Sequence, residues 1–173
     1  MNKFFRFVGV LSVSSLFVGC PLLTDHPIAP SMNAPMNPRL TGTWTEVENP
    51  TDREPISISI LAFNENEYYM EWRVKDDEEL YVIRFRAFIS TIDNVSFLNS
   101  KFLGCSHGIY EYINFDLSSD NVMTLRVIDE ELFLNRPSTS EELFNSIQKY
   151  LNNEKLYNTP MKLIRANKSG ECN

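Results

Sequence analysis

Between residues 56 and 128 apolar and polar side chains alternate with a period of two, and short polar stretches interrupt the alternation repeatedly. Ile56, Ile58 and Ile60 share one face, with Ser57 and Ser59 opposite. Tyr68, Met70, Trp72 and Val74 oppose Tyr69, Glu71 and Arg73; Tyr81, Ile83, Phe85, Ala87 and Ile89 oppose Arg84 and Arg86. Val95 to Leu98 follows the Asp93-Asn94 turn, then Ile109, Ile113, Phe115 and Leu117 in phase, then Met123, Leu125 and Val127 against Thr124 and Arg126. Successive side chains point to opposite faces only in an extended chain, so each run is a half-buried strand and not a helix. The breaks at 64–67, 75–79 and 118–121 carry turn residues.

Segments 40–47 and 161–166 complete a set of about eight strands. One stretch departs from the pattern. Leu143, Phe144, Ile147, Tyr150 and Leu151 recur at helical intervals, and Ser138/Glu141 and Thr139/Glu142 stand at capping-box spacing. This predicts one amphipathic helix over residues 140–152, before the last strand. Short consecutive antiparallel strands, each with one apolar face, bury that face and leave no open edge when they close on themselves. The expected fold is mainly β: a small antiparallel meander barrel of about eight strands. Its strand aromatics (Tyr68, Trp72, Tyr81, Phe85, Phe97 and Phe115) either fill a core or line an apolar cup. Arg84 and Arg86 form an outer charged face or point inward at an anionic ligand; periodicity alone does not separate the two.

The N-terminus reads differently. Residues 1–7 carry Lys3 and Arg6 and no acid, and residues 8–19 are uncharged and apolar. That is the basic-then-apolar order of a secretory signal. As a helix the twelve-residue apolar run would reach only about 18 Å, against the ~30 Å of a bilayer core, too short for a stable span. The junction Leu16-Phe17-Val18-Gly19-Cys20 resembles a bacterial lipobox, with Phe17 in place of the usual leucine. The resemblance implies cleavage before Cys20 and acylation of that cysteine with chains of the palmitate class. It implies a membrane-anchored, periplasm-facing protein. The absence of aspartate after Cys20 points to the outer membrane. Residues 20–39 hold five of the nine prolines and no apolar periodicity, which predicts an extended tether reaching roughly 60 Å. The expected organisation is a signal peptide at 1–19, a lipidated cysteine with its tether at 20–39, and a barrel domain at 40–173.

Charge narrows the partners. Removing Lys3 and Arg6 from 16 basic residues leaves 14 against 23 acids, a formal charge of −9. A phosphate backbone needs a basic footprint, so nucleic acid is excluded, as is a polybasic grip on anionic lipid. With Cys20 acylated, Cys105 and Cys172 are left in an oxidising compartment, where they form one disulfide or stay as two thiols.

Leu40-Thr41-Gly42-Thr43-Trp44 resembles the opening of a lipocalin-like domain, whose first strand carries a Gly-x-Trp, here Gly42 and Trp44. The resemblance covers residues 40–166. It implies that Trp44 closes the bottom of the barrel under an arginine from the last strand, for which Arg165 is suitably placed. The helix ahead of the last strand differs from the lipocalin order and is nearer to the looser bacterial lipocalin-like lipoproteins.

Chemistry-bearing motifs are sparse. Cys105-Ser106-His107 are neighbours in one loop with no orienting acid, and too few ligands stand at zinc spacing. The acidic run 76–79 lacks the spacing and glycine of a calcium loop. No catalytic residue, metal site or cofactor is expected. The expectation is a non-catalytic binding module for a small apolar ligand or a lipid. The alternative is a module whose acidic surface engages or inhibits an envelope protein.

Overall fold

Eight antiparallel strands close on themselves in the computed structural model, which describes residues 20–29, 36–47, 54–76, 79–104 and 108–166. In chain order after a short first strand β1 (Leu23–Thr24), they are β2 (Gly42–Glu46), β3 (Ser57–Ala62), β4 (Tyr68–Asp76), β5 (Glu79–Ile92), β6 (Val95–Phe102), β7 (Tyr110–Ser119), β8 (Val122–Val127) and β9 (Met161–Arg165). Neighbours in sequence pair from β2 to β9, and β9 returns to β2 with Trp44 opposite Arg165. The barrel is the expected small antiparallel, lipocalin-like one. Asp93 and Asn94 both take positive φ, 46° and 69°, and join Ile92 to Val95 in a two-residue hairpin. Positive φ at both central residues suits the twist of the flanking strands, and short Asp and Asn side chains tolerate it.

The alternation sorts the strands as the sequence indicates. Ile58, Ile60, Met70, Trp72, Phe85, Ala87, Ile89, Leu98, Ile113, Phe115, Leu125 and Leu163 make one buried cluster inside the barrel. Trp44, Trp72, Tyr68 and Phe85 are its bulkiest fillers, all nearly inaccessible to solvent. Tyr68, Trp72, Phe85 and Phe115 are therefore barrel core, Tyr81 is partly buried against it, and Phe97 belongs to a second layer outside. Arg84 and Arg86 point outward, where Arg84 reaches Glu71 at 3.1 Å and Arg86 pairs with Glu67 and covers the Phe63 ring at 4.3 Å.

The lower end, where β2 begins and β9 finishes, is plugged. Trp44 Nε1 donates to the Leu40 carbonyl at 2.9 Å, and the Arg165 guanidinium lies 4.2 Å from the Trp44 ring centroid. Arg165 is held there by donating to the carbonyls of Thr41 (2.5 Å), Arg39 (2.6 Å) and Asp120 (2.9 Å). Gly42 has φ +139°, and a Cβ on it would collide with the Arg165 Nη1. Glycine is needed here both for the backbone conformation and for the close approach of the lid.

A second apolar layer lies on the outer wall. Helix α1 (Ser140–Tyr150) buries Leu143 and Ile147 against Ile92, Phe97 and Tyr112, which point outward from β5, β6 and β7. Thr139 accepts from the Glu142 N–H at 3.1 Å, and the Glu142 carboxylate accepts from the Ser138 N–H at 2.8 Å, so Thr139 is the cap of the two alternatives. The helix comes between β8 and β9 as expected.

The N-terminal segment departs from expectation. Over residues 20–29 the predicted tether is part of the folded body. Glu130 N donates to the Cys20 carbonyl at 2.9 Å, Pro21 bridges Asp129, and Leu22 N donates to Ile128 O at 2.9 Å. β1 then pairs with β7, Leu23 opposite Glu111 and Thr24 opposite Tyr110. Leu22 is 0% exposed and Ile28 is also buried, both in the outer layer with α1. Burial of two aliphatic side chains and pairing of the backbone outweigh the extended bias of proline. Pro21 and Pro27 sit where no ladder donor is needed. Residues 36–40 are folded too: Met36 packs against the core, Tyr68 donates its hydroxyl to Asn37 O at 3.2 Å, and Pro38 begins a 3-10 turn.

Candidate functional site

Glu111 stands in the inward register of β7, in phase with Ile113 and Phe115, and is only 6% exposed. It faces the upper part of the barrel interior, near the end opposite the Trp44 plug. Across the β6–β7 pairing its neighbour is Ser100, in the inward register with Leu98. Ser100 is fully buried and its hydroxyl has no partner. A carboxylate in such a place loses hydration without gaining a counter-charge, and burial pushes the Glu111 pKa up from 4.5 to about 7. No hydrogen bond or ion pair to the Glu111 carboxyl occurs among the described residues, and desolvation is the only cause of the shift.

Two further polar side chains are buried in this part of the barrel. Asn158 N donates to Val127 O at 2.9 Å, and Ile128 bridges Tyr157. Asn158 therefore lies opposite Val127, an inward residue, while Tyr157 lies outward under Arg126, whose guanidinium is 4.4 Å from its ring. Asn158 is 3% exposed, and neither its Nδ2 nor its Oδ1 has a partner. Glu46, inward on β2 beyond Trp44, is buried, and one carboxylate oxygen accepts from the Ile56 N–H at 3.1 Å. The upper interior thus holds a buried acid, Glu111, with a hydroxyl and an amide that have no protein partners. Buried polar groups in native proteins are nearly always satisfied, and each exception calls for a reason such as a bound molecule. The set leaves hydrogen-bond donors and acceptors unpaired inside the barrel. Among the described residues it has no nucleophile–base pair, and no group of three or more metal-capable side chains occurs among them.

The residues singled out from sequence fall elsewhere. Gly42, Trp44 and Arg165 are together at the lower plug, and Cys20 is exposed at the start of the N-terminal strap. Cys105 and Cys172, the expected disulfide, and His107 lie outside the described residues. His26 is held in the strap, its Nδ1 2.7 Å from Asp25. Glu111 and Ser100 escape a search for motifs, but each leaves one signal: a polar residue in a phase otherwise apolar, Ile109-x-Glu111-x-Ile113 and Leu98-x-Ser100-x-Phe102. Asn158 has no such signal, because it follows the helix and belongs to no periodic run.

Compared with known proteins, the chain matches no protein-family model, no curated protein and no solved structure.

Proposed function

We propose that this chain is a non-catalytic binding module of the bacterial cell envelope, anchored through acylated Cys20 and taking a small, mainly apolar ligand or lipid into the upper end of its barrel. The observation that carries the reading is the pair of partnerless buried side chains, Ser100 and Asn158, with the buried acid Glu111 across the ladder from Ser100, in a barrel whose interior carries Trp72 and Phe85. A ligand with an apolar body and a polar head would meet the apolar interior and supply the missing hydrogen bonds; this is the usual make-up of a small-molecule site. The test is native mass spectrometry of the chain purified from membranes without detergent exchange. A retained adduct that is lost in Glu111→Gln supports the reading, and a mass accounted for by protein and acyl chains alone overturns it.

The tight filling of the barrel by Trp44, Tyr68 and Phe85 favours a second reading, in which the acidic exterior engages an envelope protein. A bare mass together with a stoichiometric protein partner after cross-linking in cells would support it. In both readings Cys20→Ala releases the chain from the membrane fraction, and a processed variant that still pellets refutes the anchor.

A further inference from the structure

Residue 20 is not held on a leash. If Cys20 carries acyl chains, the first residue of the processed protein is already hydrogen-bonded to the folded body, through its carbonyl to Glu130 N at 2.9 Å. The next residue bridges Asp129, and Leu22 is sealed in the outer apolar layer. A lipid on Cys20 therefore holds one particular face of the molecule at the bilayer, within the span of a side chain.

That face is the turn from Asp129 to Leu134. Phe133 N donates to Glu130 O at 2.9 Å and closes the turn, which brings its ends within ~7 Å of one another. Ile128 and Phe133 are buried in the outer layer, Phe133 edge-on to Tyr150, so both ends of the turn are fixed. Leu134 follows at once and is 97% exposed, far more than any other large apolar side chain described. Two of the turn's three acids have a basic partner, and the third accepts a backbone hydrogen bond. Glu130 pairs with Arg136 at 2.9 Å, Glu131 with Lys155 at 3.5 Å, and the Asp129 carboxylate accepts from the Glu131 N–H at 2.8 Å.

We infer that the Asp129–Leu134 turn is a membrane-contact surface, on which Leu134 enters the boundary between headgroups and acyl chains of the zwitterionic phospholipid leaflet that holds the Cys20 lipid. The inference rests on Cys20 acylation. The exposed leucine supplies apolar area, the two ion pairs lower the charge that must approach the headgroups, and the attachment residue is hydrogen-bonded to the same turn. The barrel is then held in one orientation, its outer layer beside the membrane, and does not swing on a tether.

The test uses the full chain with Leu134→Trp, produced in a lipoprotein-processing host, purified with its acyl chains and reconstituted into phosphatidylcholine vesicles with or without bromine near the headgroup. Position 134 is exposed, so the substitution leaves the core intact, and the native Trp44 and Trp72 are buried and out of reach of the quencher. The expected result is an added emission that is blue-shifted on vesicles and loses most of its intensity in the brominated ones. An acylated, vesicle-bound protein in which the emission of the introduced tryptophan stays red and unquenched overturns the contact while leaving the anchor standing. In native membranes, blue-shifted emission that is not quenched after bromolipid exchange means a protein covers the turn, which also overturns the lipid contact. Mass analysis of the Cys20 peptide is read separately, and absence of acyl chains refutes the lipoprotein reading itself.

Discussion

Replacing Glu111 with glutamine tests the upper interior most directly, because the consequence has a sign, a size and a pH window. The carboxyl is buried without a partner, and its pKa is raised from 4.5 to about 7. Between those values the unfolded chain releases the proton and the folded chain keeps it, so raising the pH favours unfolding. A group with a raised folded-state pKa contributes fully below its unfolded value, and the contribution is lost as pH rises through the folded one. The gap corresponds to about 3 kcal/mol, lost between roughly pH 4.5 and pH 7. Glutamine keeps the shape and cannot ionise. The variant and the native chain should therefore be alike near pH 4, and the variant should be more stable by about 3 kcal/mol near pH 8, in the ligand-free protein. For a domain of this size that is a rise in Tm of roughly 6–12 °C. Urea unfolding followed by the fluorescence of Trp44 and Trp72, both buried, measures the difference at each pH. A difference that does not change with pH would refute the argument, because it would mean that solvent or an unseen partner already compensates the charge.

Three further outcomes follow from the plug and the strap. Gly42→Ala forces a Cβ onto Arg165 at φ +139° and should lower stability by roughly 1–3 kcal/mol, read by thermal unfolding. Arg165→Met removes the cation over Trp44 and three hydrogen bonds to loop carbonyls, and should cost about 2 kcal/mol and red-shift the Trp44 emission as the lower end opens. Tyr112→Phe deletes the hydroxyl that meets Thr24 Oγ1 and the His26 carbonyl, worth about 1 kcal/mol; hydrogen exchange should rise across residues 22–28 while the barrel strands stay protected.

Much of the barrel was readable because strand burial leaves a local mark. Ile56, Ile58 and Ile60 on one side of Ser57 and Ser59 state which face is wet, and the same holds for β4 and β8 and for β5 as far as Arg86; beyond it the outward Phe88, Ser90 and Ile92 of β5 are buried too. The Trp44–Arg165 lid was readable only through a family resemblance, since its two residues are far apart in sequence and meet across the β2–β9 closure. The polar end of the barrel is not legible in the sequence: Glu111 sits in an inward phase that otherwise carries Ile113 and Phe115, and an acid there looks like an exposed residue until the register is known.

Residue order alone determined the strand periods, the turn at Asp93-Asn94, the capped helix and the acidic balance, because each depends on side chains within one turn or one strand of each other. The tertiary structure alone decided what the proline-rich segment does and where the partnerless groups lie. Proline composition describes the intrinsic stiffness of an isolated segment, and that reads as a tether. Whether Leu22 and Ile28 find an apolar surface depends on Tyr112, Ile128 and α1, all more than 80 residues away in sequence, and the burial they gain there turns the leash into a strap.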